Sequence, residues 1–190
     1  MMPKIKSINI TLILLGIIIL SSCQKQHRAV KKFNNWQQVS SWSFNGKMAI
    51  NDGHNSGSGR INWQVTPMTT NAQFNAPLGQ GNWSIFAEKN QARLTSSKNG
   101  DQFAKKAETL IFNELGWHFP WDNLQYWLRG YKLNDNLTIH NSTHEHLLDD
   151  GWEISYQKWV ETPIGLLPKK IKASKDSYSV KLIIYAWEIK

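Results

Sequence analysis

Trp42-Ser43-Phe44-Asn45-Gly46-Lys47-Met48-Ala49-Ile50 decides the fold: Trp42, Phe44, Gly46, Met48 and Ile50 alternate with Ser43, Asn45, Lys47 and Ala49. Successive side chains of a strand point to opposite faces, so a period of two marks a strand with one buried face. The turn signal Asn51-Asp52-Gly53 follows. Beyond it Ile61, Trp63 and Val65 alternate with Arg60, Asn62 and Gln64, and the pattern recurs in Ala72, Phe74 and Ala76 after Pro67, then in Trp83, Ile85 and Ala87. Ala92 and Leu94 suggest one more strand before Lys98-Asn99-Gly100. Runs of this kind joined by short turns are successive antiparallel strands, so the first half reads as a β-meander.

The period then changes. Phe103, Ala107, Leu110, Ile111 and Leu115 fall on one helical stripe, which predicts a helix with Asp101 as N-cap and Gly116 as its stop. After Pro120, residues Trp121, Leu124, Tyr126, Trp127 and Leu128 predict a second short helix that ends at Gly130. Strands are expected again around Leu137–Ile139, Trp152–Tyr156 and Ile171–Ala173, and the last carries Val180, Leu182, Ile184 and Ala186 on one face. Its other face, Lys181, Ile183, Tyr185 and Trp187, is apolar enough to expect a strand covered on both sides. A twisted antiparallel sheet of about ten strands tends to curl into a barrel, with the two helices closing one mouth. The chain holds ten tryptophans, and a barrel with so aromatic an inner face either fills with its own side chains or holds a ligand. The pattern of residues leaves both open.

The N-terminus carries Lys4 and Lys6 and then an apolar run from Ile8 to Leu20 before Ser21-Ser22, the layout of a secretory signal peptide. A permanent spanning helix needs about 20 apolar residues, more than this run supplies. Leu20-Ser21-Ser22-Cys23 resembles the lipobox of bacterial lipoproteins, in which the cysteine receives a diacylglyceryl group. The expected organisation is a signal peptide over 1–22, a lipidated Cys23 with a polar, basic tether over 23–35 (Lys25, Arg28, Lys31, Lys32), and one domain over 36–190. A cleaved soluble export signal with an incidental cysteine is the bland alternative, but an unpaired thiol is unusual in an oxidising compartment. Gln24 stands where an aspartate would signal inner-membrane retention, which points to the outer membrane. Taking 22 residues and two lysines from a chain of 190 residues and formal charge +8 leaves 168 residues and +6. Export makes nucleic acid an implausible partner for that charge, leaving acidic lipid headgroups or an acidic protein.

Chemistry is sparse. His144, Glu145 and His146, with His140 nearby, have a spacing that could suggest a metal, but the segment is polar and reads as solvated loop. Asp149-Asp150-Gly151 is a hairpin turn before it is a carboxylate pair. The chain contains no Gly-x-Ser-x-Gly, no P-loop and no dinucleotide fingerprint, so no catalytic residue, metal ligand or cofactor is expected. In Asn75-Ala76-Pro77-Leu78-Gly79-Gln80-Gly81, proline and glycine mark a loop that holds one large apolar side chain, Leu78. That leucine either folds back on the core or forms an apolar tip able to enter a bilayer.

Five stretches in order carry a specific resemblance: Trp42-x-x-x-Gly46-Lys47-Met48-Ala49-Ile50; Gly59-Arg60-Ile61-Asn62-Trp63; Ala76-Pro77-Leu78-Gly79-Gln80-Gly81; Leu115-Gly116-Trp117-x-x-Pro120 with Leu124-x-Tyr126-Trp127-x-Arg129-Gly130; and Gly151-Trp152-x-Ile154-x-Tyr156 with Leu167-Pro168-Lys169. Together with the lipobox they resemble the outer-membrane lipoprotein receptor LolB family over nearly the whole exported chain. Residues 131–150 fit no pattern of that family, which puts the strand count there in doubt. The resemblance implies a mainly β (α+β) fold: an unclosed antiparallel β-barrel of about ten or eleven strands with a helical lid over an apolar cavity. It further implies a monomeric, non-enzymatic receptor, anchored in the outer membrane and facing the periplasm. Such a receptor would take lipoprotein acyl chains from the periplasmic carrier LolA and deliver them into outer-membrane phospholipid. Pro77, Leu78 and Gly79 stand at the family's membrane-insertion loop. Candidates for the acyl-binding wall, each equally readable as ordinary core, are Trp63, Phe74, Trp83, Ile85, Leu110, Ile111, Trp127, Trp152, Leu182 and Ile184. A competing expectation is a lipid-anchored structural or assembly module that binds a partner protein and has no ligand cavity.

Overall fold

A computed structural model describes residues 36–77, 81–132 and 145–190. The expectations for the signal peptide, Cys23 and its tether, Leu78, Gly79, His140, His144 and a strand at 137–139 lie outside the described residues. The alternating stretches form ten antiparallel strands: β1 (Trp42–Asn51), β2 (Ser56–Val65), β3 (Thr70–Asn75), β4 (Asn82–Ala87), β5 (Ala92–Ser96), β6 (Gly100–Ala104), β7 (His146–Asp149), β8 (Trp152–Thr162), β9 (Gly165–Lys175) and β10 (Tyr178–Ile189). Their order in the sheet is β6-β5-β4-β3-β2-β1-β10-β9-β8-β7, so two runs of hairpins meet where the first strand pairs with the last. Among the described residues β6 and β7 remain the edges, and the sheet is an unclosed barrel.

Between those edges the described residues form two short helices, α1 (Ala107–Leu115) and α2 (Trp121–Trp127). Helix α1 packs against β4, β5 and β6 and buries Ala107, Leu110 and Ile111. It stops at Gly116, whose left-handed φ of 70° is cheap for glycine and whose N–H donates to the Phe112 carbonyl at 2.8 Å. Helix α2 buries Trp121, Leu124 and Trp127.

Three expectations need correction. Asp101 does not cap α1. Gly100, at φ 68°, turns the chain so that Asp101 to Ala104 pair with β5, and Asp101 binds the Thr95 hydroxyl at 2.6 Å. The helix starts later, at Ala107, and Phe103 is 63 % exposed on the edge strand rather than on its stripe. Second, β10 is not covered on both sides, because Ile183 and Tyr185 are 40 % and 57 % exposed. Trp187 reaches the core for a reason that simple alternation cannot supply. A register shift opposite Asn45/Gly46 swaps the faces of β10, turning Trp187 inward to within 5.8 Å of the Trp42 ring and 5.4 Å of Phe44. Third, β8 and β9 run far beyond the stretches read from alternation, since shifts around Lys158 and the presence of Pro168 hide the period in sequence.

Candidate functional site: the inner face and its helical cover

Alternation delivers one apolar residue in two to the inner face, and neighbouring strands bring these into register. Phe44 stacks on Trp63 with ring centroids 6.3 Å apart, Phe74 stacks on Trp83 at 5.1 Å, and Met48, Ile61, Ile85, Leu94, Ile154, Leu182 and Ile184 fill the spaces between. The helices complete the enclosure from the open side. Trp121 of α2 lies 4.5 Å from Trp63, and Trp127 lies 5.6 Å from Trp152 of β8. Aromatic pairs at such distances add roughly 0.5–1.5 kcal/mol each beyond the area they bury.

All ten candidate wall residues therefore come together in one cluster, none of them more than 7 % exposed. Side chains lining an empty hollow wide enough for water would keep accessible surface. Trp63, Ile85, Trp127 and Leu182 keep at most 1 %. In this conformation the interior is filled by its own rings and aliphatic groups, and the cover is shut. Two clefts that open to solvent flank the helices. One of about 400 Å³ is lined by Phe119, Pro120, Asn123, Trp152 and Tyr178 where the α1–α2 connection meets β8 and β10, and one of about 290 Å³ by Thr66, Thr70, Lys106, Trp121 and Gln125.

Few polar contacts fasten the cover. The Asp149 carboxylate accepts from the Trp127 indole N–H at 2.8 Å and from the Asn123 amide at 3.0 Å, tying α2 to β7. The Tyr156 hydroxyl donates to the Trp127 carbonyl at 3.0 Å, and the Thr70 hydroxyl donates to Gln125 at 3.3 Å. Arg129, just past α2, places its guanidinium 5.0 Å from the Trp36 and Tyr126 ring centres and 5.7 Å from that of Trp42, and donates from Nε to the Gln125 carbonyl. Burial lowers the Arg129 pKa, but guanidinium stays charged and the ring faces stabilise it. Glu108, in the first turn of α1, has its carboxyl pKa raised by burial and then by the nearby Asp122. The Trp63 indole N–H is buried with no acceptor among the described residues.

Asp149 and Arg129 are fastenings that alternation did not mark, as are Thr70 and Gln125. The Asp150-Gly151 turn forms as the sequence suggests, at φ 49° and 75°, but only the fold shows that the carboxylate before it faces α2. The three-residue spacing of Tyr126 and Arg129 was the available signal for the second. His146 is an exposed residue of β7, 3.7 Å from Glu153, and among the described residues no group of three metal-ligating side chains forms. Pro77 lines a third cleft, of about 430 Å³, with Ile50, Ser58, Ser179 and Lys181.

The fold resembles two solved structures, each too distant in sequence to show more than architecture. One is a DUF1329 family protein from Desulfovibrio piger (TM-score 0.51, 6 % identity, 80 % of this chain and 87 % of that one). The other is a putative outer membrane lipoprotein-sorting protein domain from Vibrio parahaemolyticus (TM-score 0.51, 8 % identity, 80 % and 86 %). Sequence relatives are closer. An outer-membrane lipoprotein LolB from Pseudomonas fluorescens is 30 % identical over 150 residues, 77 % of this chain and 73 % of its own. One from Francisella tularensis subsp. tularensis is 29 % identical over 198 aligned residues, 96 % and 94 %. The family model described as outer membrane lipoprotein LolB matches residues 40–187, from just before β1 to near the end of β10, and the chain belongs to that family.

Proposed function

We infer that this chain is a lipid-anchored receptor of the outer membrane that accepts lipoprotein acyl chains from the periplasmic carrier LolA and passes them to the outer-membrane bilayer. One observation carries this function beyond family membership: two short helices lie over a concave face that is apolar but for Thr70 and Ser96, and among the described residues few polar contacts fasten them. The ion pairs Arg93–Asp101 and His146–Glu153 both lie at exposed strand positions away from the helices. Fatty tails cannot cross water unaided, because each exposed methylene costs about 0.8 kcal/mol. Room for them comes from displacing α2 with Trp121 and Trp127, a lid motion of the kind that gates many apolar sites. Transfer driven by affinity alone requires the receptor to hold the tails more tightly than the carrier and the bilayer to hold them more tightly still. Leu78, between Pro77 and Gly79, would serve the last step by entering the bilayer.

Two measurements test this. Cargo-loaded carrier mixed with the protein should lose its cargo to it, and absence of transfer at every carrier ratio would remove the receptor function. Leu78→Glu should leave uptake intact and stall release into membranes, so normal delivery by that variant would count against the insertion role. The shut interior favours one alternative, a lipid-anchored module that binds a partner through its surface and takes no ligand. A hydrophobic dye displaced by fatty acyl chains separates the two, since a permanently packed interior offers it no site.

A further inference from the structure

The outward side of the sheet is divided in two. Over β3 to β5 and the Asn62 to Gln64 end of β2 it is neutral: Asn62, Gln64, Gln73, Asn75, Asn82 and Thr95 face solvent, and Arg93, the cation on that part, sits 3.8 Å from Asp101. Where the first and last strands meet, it is basic. Reading across the sheet through directly paired positions, Arg60 of β2 faces Lys47 of β1, Lys47 faces Ile183 of β10, Ile183 faces Lys170 of β9, and Lys170 faces Lys158 of β8. In the adjoining row Lys181 of β10 faces Lys172 of β9. At about 4.8 Å per strand this places six exposed cations on a band roughly 19 Å wide. None of the six has a hydrogen bond or ion pair among the described residues. Exposed carboxylates flank the band on the same strands: Glu153, a row further on and beside His146, Glu161 three residues beyond Lys158, and Glu188 at the far end of β10.

Three of these contacts, Lys47 with Arg60, Lys181 with Lys172 and Lys158 with Lys170, set like charges directly opposite one another. Such pairs destabilise a sheet. A band that accumulates repulsion and holds no acid of its own is complementary to an external array of negative charge. Its centre carries Ile183 and Tyr185, an aliphatic and an amphipathic ring at 40 % and 57 % exposure, the residue types that settle at the boundary between headgroups and acyl chains. Lys181 also lines the cleft that Pro77 enters, so the band runs on to the root of the 77–81 loop.

On these grounds we propose that the outward face of β1, β2 and β8 to β10 is a docking surface for anionic phospholipid headgroups, which lays the domain on the bilayer with the Pro77 end against it. The proposal rests on the membrane-anchored function inferred above, and it deepens that function by assigning the surface that orients the domain. A bilayer fits this surface better than an acidic protein does. The band is broad, its charges are spread over five strands rather than gathered in the cleft beside Lys181, and a membrane-tethered domain meets the bilayer at high effective concentration. Each lysine or arginine near an anionic surface contributes about a fivefold gain in binding.

The test uses the full lipidated chain in vesicles, with an environment-sensitive dye on Tyr185→Cys as the only free thiol. In vesicles containing phosphatidylglycerol the dye should shift to the blue, and in phosphatidylcholine alone it should not. Lys47→Gln, Lys170→Gln, Lys172→Gln and Lys181→Gln combined should lower the ratio of docked to undocked domain at least tenfold. On the unsubstituted band, raising salt from 0.05 to 0.5 M should do the same, which keeps the proposal testable if the multiple variant folds poorly. Equal emission in both vesicle types, or insensitivity to salt, overturns it, as does a shift produced by an acidic polypeptide such as polyglutamate but not by anionic vesicles. No carrier or cargo enters the measurement, so its failure is distinct from failure of acyl transfer.

Discussion

The inner and outer faces of the same strands obey different rules. Along β10, Val180, Leu182 and Ile184 are at most 4 % exposed inside the sheet, while Lys181, Ile183 and Tyr185 between them face water. The inner set is joined to every other element through one packed cluster, so each side chain there is constrained by volume. The outer set faces solvent and is free to hold charge at a small cost in stability. One polypeptide run thus separates packing from surface recognition by parity alone, and substitutions on the two faces should differ in kind.

The largest effect is expected inside. Trp127→Ala removes a fully buried indole and leaves the Asp149 carboxylate short of a donor, and it should cost about 3–5 kcal/mol in denaturant unfolding. A loss below about 1 kcal/mol would mean that the cover contributes little to the core. Next comes Gly59→Ala, whose new methyl would meet the Asn75 backbone and the Phe74 ring. About 1–3 kcal/mol should be lost, with a matching fall in the melting temperature.

Asp149→Ala leaves the Trp127 indole N–H and the Asn123 amide without their acceptor, and should cost about 1–3 kcal/mol. Because it loosens α2 without emptying the core, it should also speed the uptake of a hydrophobic dye, measured by stopped flow. Unchanged uptake would separate this fastening from lid motion. On the outer face, Lys172→Gln relieves the repulsion from Lys181 and should leave stability unchanged or raised by a few tenths of a kcal/mol. A marked destabilisation would blur the distinction between the faces.

The smallest effect concerns Glu108. Its folded carboxyl pKa is raised, so the folded state holds that proton more tightly than the unfolded chain does. The contribution is therefore favourable in acid and is lost as pH rises from the ordinary glutamate range through the raised value. Glu108→Gln should accordingly gain less than about 1 kcal/mol at pH 7, with the gain vanishing towards pH 4. A gain independent of pH would assign the effect to something other than the carboxylate.

Much of this molecule was legible before folding. A period of two named the inner residues of β1 to β5, Asn51-Asp52-Gly53 marked the first reversal, and Gly116 and Gly130 closed the helical segments. Each of those signals is local, a matter of which way one residue points or which φ it tolerates. The helix start was misread because Phe103 fits a helical stripe and an edge strand equally well, and only pairing with β5 chooses between them. Asp149 looked like a turn residue and is the last residue of β7; its hold on Trp127 links positions 22 apart in sequence.

By itself, then, the sequence determined strands β1 to β5 and which side of each was greasy, and where the helical segments stop, because backbone geometry and apolar periodicity are properties of neighbouring residues. Tertiary structure decided the rest. It set the shift opposite Asn45/Gly46 that turns Trp187 inward, the filling of the inner face by rings from distant strands, and the gathering of Lys47, Arg60, Lys170 and Lys181 into one band. All three depend on β1 lying against β10, a pairing between the two ends of the domain that no local pattern can specify.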